Sequence, residues 1–217
     1  MHAEALVLDF GGVISRTLFE THDLSEHALG LQPGTLTWRG PFAPESDPEW
    51  QAMVSGKITE REYWAIRMRE TGQLVGEDWT EFAQFVGRVR GAEPAAVIRP
   101  EALQSIARAK QAGRKLAILS NELDLFYGAE FREKLPFLAA FDVIVDATHT
   151  GILKPDPRSY ELVSDALGLP PGACVFVDDQ HRNILGARDF GMQTVHFDVA
   201  RPASGYSMAL SMLGVSS

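Results

Sequence analysis

The nine residues L-V-L-D-F-G-G-V-I, residues 6–14, decide how the chain folds. An apolar run, Ala5 to Leu8, stops abruptly at Asp9 and is followed at once by Gly11 and Gly12. An unbroken apolar run without alternation suits a strand covered on both faces, as in a parallel sheet, and ligands of such sheets gather at the C-terminal strand ends. The stretch therefore predicts a buried first strand that delivers the Asp9 carboxylate to a site. The glycines allow a sharp turn and let a bulky anion approach main-chain N–H groups, at Gly12 in particular, that a Cβ would obstruct. Alone, D-x-G-G equally describes an Asp that closes a strand and caps a turn. Three later stretches tip the reading.

The segment that follows, residues 15–96, has a different character. It holds all four tryptophans (Trp38, Trp50, Trp64, Trp79) and is broken by Pro33-Gly34, Gly40-Pro41 and the cluster Pro44, Ser46, Asp47, Pro48. Thr59 with Glu62 three residues on is a capping-box signature for a helix to about residue 70. Strand signals are absent here. Beyond the segment, helix and strand alternate: helix 101–111, strand 115–120, strand 141–145, helix 158–167, strand 174–177, helix 183–190 and strand 194–197. That alternation predicts an α/β fold, a Rossmann-like parallel sheet with helices on both faces. Residues 1–14 belong with residues 97–217 as the core, and residues 15–96 are an all-helical insertion placed directly after Asp9.

Each later strand end carries polar residues of a distinct kind. Strand 115–120 ends in Ser120-Asn121, small side chains able to hold a phosphoryl oxygen. After residue 145 comes G-I-L-K-P-D-P-R-S-Y, in which Pro155 and Pro157 stiffen the turn that carries Lys154. V-F-V-D-D releases Asp178 and Asp179, with Asn183 one helical turn on. Each has an ordinary reading as a helix cap, a turn lysine or an acidic helix N-terminus. Four in chain order at four strand ends point to a site.

Composition narrows the partners. With 217 residues and 45% hydrophobic content, the chain can bury one good core with room for a small second domain. Lys+Arg of 20 against Asp+Glu of 29 gives a formal charge of −9, and no basic run appears, which argues against nucleic acid and anionic membranes. The single Cys174, among apolar neighbours, reads as a buried strand residue. The first strand begins almost immediately and no apolar run is long enough to cross a bilayer, so a cytoplasmic protein, monomer or homodimer, is expected.

Together D-x-G-G-V, L-S-N, K-P-D-P-x-x-Y and D-D-x-x-x-N resemble the haloacid dehalogenase superfamily. The likeness is greatest to the branch with the phosphatase domain of soluble epoxide hydrolases and the bacterial sugar-1-phosphate phosphatases. The resemblance implies that residues 15–96 form a cap and that Asp9 is a nucleophile. It implies that the Gly11 carbonyl and Asp179 bind a metal, with Asp178 and Asn183 flanking it. Ser120 and Asn121 would then bind the transferred phosphoryl group and Lys154 would neutralise charge. The chemistry asks for the same parts. A carboxylate attacking phosphorus brings negative charge toward negative charge, so an ammonium and a divalent cation must offset it. Oxygen ligands suit Mg²⁺. The expected activity is hydrolysis of a small phosphorylated metabolite through an aspartyl phosphate, in two easier steps.

One departure stands out. Most phosphatases of the superfamily carry a second Asp two residues after the nucleophile as general acid and base, and here that position is Gly11. Candidate replacements are His22, His27 and His181, and Arg16, Trp38 and Arg39 are candidates to face the cleft. Without the acid, good leaving groups are expected: anomeric, acyl or aryl phosphates. Two alternatives remain open. One is a metal-independent 2-haloacid dehalogenase, which also lacks the second Asp. The other is a non-catalytic binding protein.

Overall fold

The computed structural model describes residues 2–90, 94–127 and 132–216. Its strands are β1 (Ala5–Leu8), β2 (Lys115–Ser120), β3 (Val143–Asp146), β4 (Cys174–Asp178) and β5 (Gln193–His196). They form one five-stranded sheet of order β3-β2-β1-β4-β5, and every pairing is parallel. β1 is central, with Leu8 level with Ile118 of β2 on one side and Val177 of β4 on the other. Its four residues are fully buried. The side-chain period of two sends Leu6 and Leu8 into one core and Ala5 and Val7 into another.

Those cores are closed by helices on opposite faces. On the Leu6 and Leu8 face, α5 (Pro100–Gln111) contributes Ala102, Ile106 and Ala109, and α10 (Pro202–Met212) contributes Tyr206, Ala209 and Leu210. On the other face, α8 (Pro157–Leu167) contributes Tyr160, Val163 and Leu167, and α9 (His181–Phe190) contributes Ile184 and Ala187. Short helices α6 (Leu123–Tyr127) and α7 (Ala147–Thr150) follow β2 and β3. Full burial of each aliphatic side chain contributes about 1.5–3 kcal/mol, which is what holds the layers together. Cys174 is buried in β4 as expected.

Between β1 and α5 the chain makes α1 (His22–Leu29), α2 (Pro48–Val54), α3 (Glu60–Val75) and α4 (Phe82–Arg90). The Thr59–Glu62 capping box opens α3, which runs past the expected end to Val75 before Gly76 stops it in the left-handed region. A third hydrophobic cluster, including Phe19, Leu36, Trp38, Tyr63, Trp79 and Phe85, draws, among the described residues, on this segment alone. Residues 91–93, inside the expected 15–96 insertion, lie outside the described residues. The two connections to the sheet lie side by side: Ser15 bridges Ile98, Arg16 N donates to the Val97 carbonyl at 2.7 Å, and Arg99 N donates to the Ile14 carbonyl at 3.0 Å.

Candidate active site

All four expected strand ends meet at one cavity of about 860 Å³. Asp9 N donates to the Val177 carbonyl at 2.9 Å, so the ladder runs one residue beyond β1 and fixes where the carboxylate emerges. Phe10–Ile14 then coils in a wide turn closed by Ser15 N on the Phe10 carbonyl at 2.9 Å. Gly12 takes φ +77°, and a Cβ there would lie 2.6 Å from Asp179 Oδ2. Only glycine permits both that backbone and that close approach.

Lys154 is the electrostatic centre. It is 3% exposed, and its Nζ lies 2.9 Å from Asp9 Oδ1 and 2.7 Å from Asp178 Oδ2. Its backbone is gripped by Asn121, whose Oδ1 accepts from Lys154 N at 2.7 Å and whose Nδ2 donates to the Lys154 carbonyl at 3.2 Å. Asn121 thus places the lysine turn, in addition to lining the cavity. Ser120 ends β2 and lines the same cavity.

The two adjacent aspartates differ. Asp178 is fully buried, and its oxygens accept from Lys154, from Gln180 N at 2.8 Å and from Asn183 Nδ2 at 3.1 and 3.2 Å. It organises the loop. Among the described residues, no hydrogen bond reaches the Asp179 carboxylate, which faces the cavity beside Gly12. Asp9, Asp178 and Asp179 each place a carboxylate oxygen within 4.8 Å of the others. The other clustered group of possible ligands, Asp124, Asp146 and His149, is already bridged by the Arg132 guanidinium.

Two buried carboxylates, Asp9 and Asp178, with the partly exposed Asp179 beside them, face one ammonium and leave an uncompensated negative charge. Burial pushes Asp9 up to about 7, with Lys154 pulling it down and Asp178 pushing it further up. Asp179 is raised well above the ordinary carboxylate range by burial first, then by Asp178, Asp9 and Glu60. Burial and the same two carboxylates hold Lys154 in opposite directions, and the carboxylates win, so it stays protonated. A hard divalent cation among these oxygens would remove the imbalance, so the donor set and its charge both fit one.

Residues of the helical segment form part of the cavity lining. Glu60, at the start of α3, accepts from Gln180 Nε2 at 2.8 Å and from Arg182 Nη2 at 3.0 Å. Arg61 Nε donates to Glu122 Oε1 at 3.1 Å. Glu122 lines the cavity with its carboxyl raised to about 7, by burial and then by Glu60. Phe19, Trp50, Met53, Val54 and Trp64 give the cavity an apolar wall.

The sequence-based candidates divide. Arg16 and His181 line the cavity. Trp38 and Arg39 do not. Trp38 is 7% exposed inside the helical segment, against Phe19 at 5.5 Å and His22 at 4.2 Å between ring centroids, and Arg39 turns to His22 Nδ1 at 3.0 Å. His22 is buried and held neutral, lowered to about 4 by burial and Arg39, while His27 lies exposed on α1 away from the cavity. Glu60, Glu122, Gln180, Arg182 and His196 line the cavity without having been expected to. For Glu122 a signal existed, since it directly follows Ser120-Asn121.

The chain is 27% identical over 217 residues to mouse acyl-CoA dehydrogenase family member 10, covering 97% of this chain and 19% of that protein. It is 30% identical over 116 residues to phosphatase MT3486 of Mycobacterium tuberculosis, covering 53% of this chain and 54% of that one. It is 27% identical over 207 residues to the (S)-2-haloacid dehalogenase of Xanthobacter autotrophicus, covering 92% and 75%. The first two relatives are thus matched over about a fifth and about half of their lengths. A HAD phosphatase structure from Thermococcus onnurineus shares the fold with a TM-score of 0.61 at 18% identity, covering 98% of this chain and 99% of that one. Residues 3–191 match the family described as haloacid dehalogenase-like hydrolase, and the chain accordingly belongs to that family.

Proposed function

We propose that the protein is a magnesium-dependent phosphomonoester hydrolase acting on a small phosphorylated metabolite, with Asp9 as nucleophile and residues 15–96 as its cap. The observation that carries this reading is the excess of carboxylate at the strand ends: Asp9, Asp178 and Asp179 clustered with Lys154 as their cation. That excess has a purpose if a divalent cation and a phosphoryl dianion are to be brought together there.

Asp9 Oδ1 is held by Phe10 N at 2.7 Å and by Lys154, which leaves Oδ2 as the attacking oxygen. Attack on phosphorus forms the bond from Asp9 Oδ2 and breaks the bond to the leaving oxygen. Water then attacks the aspartyl phosphate and regenerates the carboxylate. Lys154, oriented by Asn121 and Asp178, meets the charge that develops, and Ser120 and Gly12 hold phosphoryl oxygens. Asp179, with Asp9, the Gly11 carbonyl and Asp178 beside them, would hold Mg²⁺. The cation would supply charge neutralisation and keep Asp9 ionised despite its burial. With Gly11 offering no acid, protons at the leaving oxygen fall to Glu122 or His181. Among good leaving groups, the apolar wall of Phe19, Trp50 and Trp64 favours aryl phosphates.

The second reading, a carbon–halogen hydrolase, is favoured by the similarity to the Xanthobacter dehalogenase and by Gly11. The test is a panel of phosphorylated metabolites, aryl phosphates and 2-haloacids with Mg²⁺ or EDTA. Phosphate release that EDTA stops is expected. Chloride release unaffected by EDTA, with no phosphate released, would replace the first reading by the second.

A further inference from the structure

Arg99 stands outside the machinery just described, yet it is bound to both of the parts that must work together. It is 3% exposed, at the return connection before α5. Its Nε and Nη2 donate to the Gly12 carbonyl at 3.1 and 3.0 Å. Its Nη1 and Nη2 also donate to Glu20 Oε1 and Oε2 at 2.9 and 2.7 Å. Phe197 lies under the guanidinium, 5.7 Å from ring centroid to Cζ. Glu20 belongs to the first turn of the helical segment, where its Oε2 also accepts from Thr17 N and Thr17 Oγ1, both at 2.8 Å. One rigid, planar cation thus clamps the start of that segment to a backbone carbonyl of the loop after Asp9.

The loop has reason to need it. Gly12 is in the left-handed region and packed against the Asp179 carboxylate, so a small rotation of its peptide moves the backbone that faces the phosphoryl site. A glycine pair resists such rotation poorly. Tyr206 Oη secures the neighbouring Val13 carbonyl at 2.8 Å from the core side. Arg99 is the tether that leads to the helical segment.

We propose that Arg99 is a positioning residue that couples the first turn of the helical segment, through Glu20, to the conformation of the Gly11-Gly12 loop. The role of that loop in catalysis rests on the phosphatase reading above; the coupling itself does not. A displaced Glu20 would pull on the guanidinium and so on Gly12, with Lys154 and Ser120 untouched.

The experiment is amide hydrogen exchange on the full chain, read by mass spectrometry on peptides covering residues 9–15, with β1 peptides as the internal control. Arg99→Lys keeps the charge but offers one compact ammonium in place of the fork. It should accelerate exchange in residues 9–15 about tenfold while β1 is unchanged. Glu20→Gln should accelerate the same amides about threefold, and should add nothing in an Arg99→Met background. Should Arg99→Met alone strand the Glu20 charge and unfold the chain, the Glu20→Gln/Arg99→Met pair removes both charges together and is compared with Arg99→Lys and Glu20→Gln. Unchanged exchange in residues 9–15 in Arg99→Lys, or an effect spread equally over β1, overturns the proposal. On an aryl phosphate, Arg99→Lys should lower kcat about tenfold with KM nearly unchanged, whereas a raised KM at constant kcat would contradict a role in loop position. Loss of the phosphatase reading would appear as absent phosphate release in the unmodified protein and leave the exchange result standing.

Discussion

Gly11→Asp restores the acid that the loop lacks, at a position whose backbone and Cβ space are open to a side chain. Gly11 has φ −68° and ψ 129°, ordinary extended values for any residue, and a Cβ at this position meets nothing within 4 Å. The new carboxyl joins a cavity already rich in Asp9 and Asp179, so like charge should raise its pKa and keep part of it protonated at neutral pH. General acid assistance is worth about 10²–10⁴ in rate, or about 3–5 kcal/mol at 1.36 kcal/mol per tenfold. The gain should fall on poor leaving groups. For simple alkyl phosphates kcat/KM should rise by at least about tenfold, and for nitrophenyl phosphate it should barely change, because that leaving group needs little protonation. The assay is phosphate release across a series of aryl and alkyl phosphates, plotted against leaving-group pKa under conditions where the first chemical step limits kcat/KM. A shallower slope in Gly11→Asp than in the unmodified protein is expected. Equal slopes, or no dependence on leaving-group pKa in the unmodified protein, would mean that Gly11 does not set the preference for good leaving groups.

Further outcomes follow from the charge arrangement. Asp179→Ala should weaken Mg²⁺ binding and abolish turnover while leaving the thermal midpoint close to that of the parent, since the residue lies at a strand end; full activity would move the metal role to Asp178. Lys154→Met leaves three carboxylates without their cation and should cost about 3–5 kcal/mol in urea unfolding at pH 8. Glu122 is raised to about 7, so the folded state holds its proton above the ordinary glutamate range. Stability should therefore fall as pH rises from about 4.5 through 7, and Glu122→Gln should flatten that slope in thermal scans without metal. Gly186→Ala would place a Cβ 2.8 Å from Pro155 Cβ and 3.0 Å from Tyr160 Oη, against the turn that carries Lys154. It should cost about 1–3 kcal/mol and lower kcat, by unfolding and rate measurements.

The sheet was legible because its signals are local: an unbroken apolar run such as Ala5–Leu8 or residues 174–177 has one comfortable environment, and the polar residue after it, Asp9 or Asp178, marks the functional edge. Asp9, Ser120, Lys154 and Asp179 could be placed on one side of the molecule for that reason. What the run of letters does not contain is the division of labour. That Lys154 bridges Asp9 to Asp178, and that Asn121 is occupied with the Lys154 backbone, depends on side chains brought together from separate strand ends. The helical segment was read least well. Its tryptophans look alike in sequence, yet Trp38 is enclosed among Phe19 and His22 while Trp50 and Trp64 reach the cavity, and helical periodicity alone does not say which face the sheet will meet. The contact of Glu60 with Arg182 spans 122 residues and leaves no local trace.

On the proposed mechanism Asp9 makes the bond to phosphorus, and Asp9→Asn takes that bond away. Asparagine fills the same space and can still meet Lys154 and Phe10 N, so the fold should persist while the nucleophile is gone. Phosphate release from nitrophenyl phosphate with Mg²⁺, followed beside the unmodified protein, should drop by at least about a thousandfold. Turnover by Asp9→Asn within tenfold of the unmodified protein would contradict the account.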